Sequence, residues 1–122
     1  MNADAFQPAY LGGRPESRKD GLNARLHHLA RHARTASLRT MVGYSIVVAR
    51  WPDRLHGATV CRITVEQRLG KLPDDDNVRA MCKPIRDAVA KWFGVDDGPS
   101  GPLTWEYVWR RGPDRTILEV LE

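Results

Sequence analysis

Apolar and polar positions change period along the chain, and the changes mark out its elements. Leu22, Leu26, Leu29, Ala33 and Ala36 recur at helical spacing, with Arg25, His28, His32 and Arg39 sharing another face. A second helical stretch is expected over 37–50, although "YSIVVARW" also reads as a strand and Gly43 weakens a helix; Pro52 ends it either way. Residues 59–69 alternate, with Cys61, Ile63, Val65 and Leu69 on one face and Arg62, Thr64, Glu66 and Arg68 on the other, the pattern of a half-buried strand. Asp75 or Asp76 then caps a helix whose stripe is Val78, Met81, Ile85, Ala88, Val89 and Trp92 and which Gly94 ends. Pro84 inside it predicts a kink or a broken turn. "LTWEYVWRR" and "RTILEVLE", joined by "GPD", read as a strand hairpin. There is no internal repeat. Helix, helix, strand, helix, strand, strand predicts an α+β fold, with helices packed on a small mixed or antiparallel sheet.

Residues 1–20, with two prolines and the Gly12–Gly13 pair but no sustained period, are expected to form a flexible basic arm, leaving 21–122 as one domain. No uncharged apolar run approaches the roughly 20 residues that cross a bilayer, and the N-terminus lacks a leader pattern. The expectation is a cytoplasmic protein without a membrane partner. Cys61 and Cys82 have no metal-ligand spacing and are expected to be free, buried thiols.

Charge adds a contrast. Residues 1–71 carry 12 Lys and Arg against 5 Asp and Glu, net +7, whereas residues 72–122 carry 7 against 10, net −3, which together give the overall +4. A basic half beside clustered acids suggests an anionic partner, with cations between the two. Asp74 and Asp76 stand two apart at a strand-to-helix junction, and Asp96 and Asp97 lie beyond the far end of the same helix. A hard divalent cation takes oxygen ligands of this kind. Lys83 and Asp87 share a helix face, where Lys83 would offset charge on a phosphoryl group; Asn77 would hold a ligand carboxylate or a water. Aspartates are equally favoured as helix caps and turn residues, so "PDDDN" and "VDDG" also read as capping and turn chemistry, and Lys83 with Asp87 as a surface ion pair.

In order, the run Asp74-Asp75-Asp76-Asn77, "KPIRDAV" from Lys83 to Val89, "GVDD" from Gly94 to Asp97 and the closing strands resembles the RusA family of Holliday-junction resolvases, phage and prophage members included. The resemblance covers roughly residues 57–122; it departs in a longer interval from Asp76 to Lys83, in the "GPSGP" segment, and in lacking the family's N-terminal strand. It implies a homodimeric endodeoxyribonuclease of a bacterial or phage-infected cell, hydrolysing phosphodiesters of four-way junctions in recombination and repair. Mg²⁺, with Mn²⁺ as the alternative, would be its cofactor, and no nucleotide would be needed. Asp74, Asp76 and one of Asp96 and Asp97 would be the metal ligands, and Lys83 the essential lysine. Arg110 or Arg111 would be the basic residue the family often has on its penultimate strand; Arg79 is a further candidate for DNA contact, and Arg25, Arg31, Arg34 and Arg39, with Arg14, Arg18 and Lys19, read from their charge either as phosphate contacts or as a solvated helix face.

Two rival classes remain on the sequence: a DNA-binding module of the same fold without catalysis, and an interaction protein whose acids mimic DNA. His28 and His32 form an HxxxH pair, read either as metal-binding or as solvated and phosphate-facing. Trp105, Tyr107 and Trp109 read either as a base-stacking platform or as core and dimer interface.

Overall fold

The computed structural model describes residues 6–15 and 24–122, with side chains in the first helix from residue 36 onward. The elements are β1 (Ala9–Gly12), α1 (Ala24–Val48), β2 (Thr59–Gln67), α2 (Asp75–Met81), α3 (Lys83–Phe93), β3 (Leu103–Arg111) and β4 (Arg115–Leu121). They form an α+β fold with a four-stranded mixed sheet in the order β1-β4-β2-β3. No helix among the described residues is long and apolar enough to cross a membrane.

Five expectations are corrected. Residues 9–12 of the expected loose arm form an edge strand antiparallel to β4, with Ala9 and Leu11 buried in the core. The two expected helices are one: α1 runs through Gly43, because Val42 and Ile46 are fully buried on either side of that glycine. The cap of α2 is Asp74, not Asp75 or Asp76. Leu69 lies past the end of β2 and is exposed. The expected hairpin does not pair with itself. β3 runs parallel to β2, β4 runs antiparallel to β2, and β2 lies between them. The link of Gly112–Asp114 crosses the end of β2, held by Gly112 N–H donating to the Gln67 carbonyl at 3.2 Å and Arg68 N–H donating to Asp114 Oδ1 at 3.0 Å.

A central position also explains why β2 is buried beyond its alternating face: Thr64 and Glu66 are enclosed along with Cys61, Ile63 and Val65. Ile85, Val89, Ala90 and Phe93 of α3 pack into the same core as Cys61, Ile63, Val65, Leu118 and Val120. Fully burying an aliphatic side chain contributes about 1.5–3 kcal/mol, so this interface fixes α3 on the sheet. Trp105, Tyr107 and Trp109 are half-buried against that core. Cys61 and Cys82 are free and buried, and burial pushes both thiols up to about 12.

The expected break at Pro84 is present. α2 stops at Met81, Cys82 has φ −85° and ψ −2°, and α3 restarts with Pro84 in its first turn, where a missing N–H costs nothing. Gly94, at φ 65°, closes α3; Val95 N–H returns to the Ala90 carbonyl at 3.0 Å. Arg50 ends α1 in the same left-handed form at φ 58°.

Candidate functional site

Lys83 opens α3 and projects its ammonium towards two carboxylates: Asp87 Oδ1, one turn along, at 3.3 Å, and Asp97 Oδ2, in the loop after the helix, at 4.0 Å. Gly94 makes this possible, because its left-handed turn sends the chain back alongside α3. Trp105 then fixes the returning loop, its indole N–H donating to the Asp97 carbonyl oxygen at 2.9 Å. Arg39 of α1 reaches Asp87 Oδ2 at 3.1 Å, so Asp87 joins three segments. Burial pushes the Asp87 carboxyl up, but the hydrogen bond from Lys83, the contact with Asp97 and the Arg39 guanidinium together hold its pKa below the usual carboxylate value. Beside this network, Arg39, Gly43, Asp87, Lys91 and Trp92 line a groove of about 660 Å³ between α1 and α3.

The acidic pair is divided between tasks. Asp97 faces Lys83, while Asp96 accepts from Ser100 Oγ at 3.2 Å within the "GPSGP" loop. That segment, a departure from the family pattern, is built around Asp96: Gly101 N–H donates to the Gly98 carbonyl at 3.0 Å, and a side chain at 101 would run into the Asp96 carbonyl.

The opening acids stand apart. Asp74 Oδ1 accepts from the Asn77 backbone N–H at 3.0 Å as the cap of α2, and Asp75 and Asp76 follow in its first turn, all exposed. Among the described residues no three His, Cys, Asp or Glu side chains form a group that could hold a metal. Asp74, Asp76 and Asp97 are thus not joined in one three-donor set: Asp74 serves as a helix cap, and Asp87 and Asp97 both face Lys83.

Of the arginines assigned to DNA, Arg39 binds Asp87, Arg110 Nε pairs with Glu66 Oε2 at 3.1 Å, Arg111 Nη1 donates to the Arg68 carbonyl at 3.3 Å, and Arg79 is exposed on α2. Side chains of Arg25, Arg31 and Arg34, and the His28–His32 pair, lie outside the described residues.

Two positioning residues escaped the sequence reading. Arg86 Nη1 donates to the Arg79 carbonyl at 2.7 Å and to the Tyr107 hydroxyl at 2.8 Å, tying α2 to α3 and to β3; its place seven residues after Arg79, two helical turns on, was the available signal. Glu66 lies between Arg110 and Arg115 on the flanking strands. Those hydrogen bonds, that from Arg115 above all, hold its carboxyl below the usual range. Only the strand order brings Arg115 to it.

The chain is 36% identical over 85 residues to an uncharacterized protein of Xylella fastidiosa (strain Temecula1), an alignment taking in 62% of this chain and 51% of that protein. The chain thus spans about half the length of the relative it matches. No protein-family model matches it, and no solved structure matches it.

Proposed function

We propose that this chain is a RusA-like structure-selective endonuclease acting on branched DNA. The observation that carries the reading is the meeting of Lys83 with Asp97: two residues that the resemblance assigns to catalysis, from opposite ends of α3, come together beside Asp87. In this reading the Lys83 ammonium, half-exposed at the start of the helix, binds a scissile phosphate and offsets its developing charge. Asp87 and Asp97 orient that ammonium, and Trp105 orients Asp97. Arg39, paired with Asp87, and Arg79, exposed on α2, contribute sequence-independent phosphate contacts. Mg²⁺ or Mn²⁺ remains part of the proposal through the resemblance, and no step is assigned to it. A homodimer belongs to the same reading, since a two-fold symmetric junction takes two symmetric cuts.

A second reading, a DNA-binding module without catalysis, is favoured by the separation of Asp74 and Asp76 from Asp97. One experiment separates the two. The purified protein is incubated with a labelled four-way junction and a matched linear duplex, in Mg²⁺, Mn²⁺ or EDTA, beside Asp76→Asn and Lys83→Met. Paired, metal-dependent nicks near the crossover, lost in both variants while junction binding persists, support the nuclease. Salt-sensitive junction binding without cleavage in any metal gives the binding module, and no salt-dependent DNA affinity at all leaves the acidic mimic.

A further inference from the structure

The sheet has a second face. Cys61, Ile63 and Val65 of β2 point towards the helices, and the hydrogen bond from Arg86 to the Tyr107 hydroxyl places α3 on that side. The opposite face carries Arg62, Thr64 and Glu66, and strand register sets a row of side chains through each. At one end Arg115 of β4, Glu66 of β2 and Arg110 of β3 stand side by side, both guanidinium Nε atoms on the one carboxylate. At the other end Glu119, Arg62 and Glu106 do the same with signs reversed; Arg62 Nε is 2.8 Å from Glu106 and Nη1 is 3.8 Å from Glu119. The middle row is uncharged: Ile117, Thr64 and Val108, extended by Tyr10 of β1, which is 60% exposed. The outer charged side chains stay open to solvent, Arg110 at 55% and Glu106 at 47%.

This face reads plus, minus, plus at one end and minus, plus, minus at the other. A second copy turned by a two-fold axis lying along the middle row sets each strand over its own counterpart and exchanges the ends. Arg115 then faces Glu119 of the partner subunit, Glu66 faces Arg62 of the partner subunit, and Arg110 faces Glu106 of the partner subunit, with the reciprocal contacts on the other side. The alternative axis, along the strands, would oppose Glu66 to its own copy and Arg110 to Arg115. The charge pattern therefore selects one orientation. The charged rows lie four residues apart, about 13 Å along a strand, so the uncharged row separates them at the interface.

We infer that the protein forms an isologous dimer through this sheet face, the Arg115–Glu66–Arg110 row of each copy docked on the Glu119–Arg62–Glu106 row of the other. The inference deepens the homodimer of the proposed function by naming its surface, and depends on neither DNA nor cleavage. The Lys83 network, on the helical side of the sheet, stays free in both copies.

The test uses charge-swapped rows and sedimentation velocity. Arg62→Glu/Glu106→Arg/Glu119→Arg makes both rows of one chain plus, minus, plus; Glu66→Arg/Arg110→Glu/Arg115→Glu makes both minus, plus, minus. Each variant keeps alternating pairs within its own sheet but repels its own copies, whereas the two variants attract each other. The expected result is a dimeric wild type, monomers for each variant alone with unchanged circular dichroism, and dimers on mixing them one to one. If Glu66→Arg, at a buried position, blocks folding, Glu66→Gln/Arg110→Glu/Arg115→Glu replaces that variant with the same expectation. A monomeric wild type overturns the dimer itself. A dimer that survives both sets of swaps overturns this face and points to another, such as the exposed Met41, Tyr44 and Val48 of α1.

Discussion

The indole of Trp105 holds the backbone carbonyl of Asp97 at 2.9 Å, which ties the acid of the candidate site to a sheet strand rather than leaving it on a free loop. Trp105→Phe keeps most of the half-buried ring packing and removes this hydrogen bond, with an expected loss of about 1 kcal/mol in stability. The effect should be local. Amide exchange of residues 96–101 should accelerate more than that of β2, and any cleavage activity should fall with it; equal acceleration throughout would show that the indole merely fills the core.

Two helix ends share one left-handed geometry with different residues, and they should respond in opposite directions. Gly94→Ala places a side chain at φ 65° and should cost about 1 kcal/mol. Arg50→Gly relieves the same strain at φ 58° and should gain up to about 1 kcal/mol, since Arg50 makes no side-chain hydrogen bond among the described residues. Urea denaturation of the two variants measures both.

Asp74 has a structural duty and a proposed chemical one, and substitution can part them. Asn caps a helix about as well as Asp, whereas Ala costs about 1 kcal/mol. Asp74→Asn should therefore leave the melting temperature near that of the wild type and Asp74→Ala should lower it, while both abolish cleavage if the carboxylate itself is needed. Cleavage retained in Asp74→Asn would reduce Asp74 to a cap.

Acid should release the Lys83 network. The Asp87 carboxyl is held below its ordinary value, so its contribution to stability is fully present above the unfolded pKa of about 3.9 and is lost as pH falls through the lower, folded value. Melting curves of the wild type and Asp87→Asn should differ at pH 6 and converge in strong acid. A difference that stays constant down to pH 2 would mean that the carboxylate charge contributes nothing there.

Local chemistry was readable where a residue acts on its sequence neighbours. The pause at Pro84, the stop at Gly94, the Lys83–Asp87 pair and the buried cysteines follow from helical period, capping preference and apolarity alone. The errors lie where a partner is distant. "GPD" between two β-rich runs is a sound local signal for a hairpin, yet β2 intervenes because its two edges gain neighbours that way. Ala9–Gly12 is too short to show a period and becomes a strand only when β4 is beside it. Glu66 looked like the polar face of a half-exposed strand, and nothing near it in sequence announces that guanidinium groups arrive from residues 110 and 115. The acids were legible as clusters; that Asp97 turns to Lys83 while Asp96 turns to Ser100 depends on how the loop folds back.

The interposed position of β2 has a consequence for the order in which the molecule is made. Among the described residues β1 pairs with β4 alone, and β2 finds both its neighbours in β3 and β4, between residues 103 and 121. A nascent chain halted before residue 103 has β1 and β2 without the neighbours either one pairs with, so β1 waits for β4. Such long-range pairing slows folding and leaves strand edges uncovered in the interval.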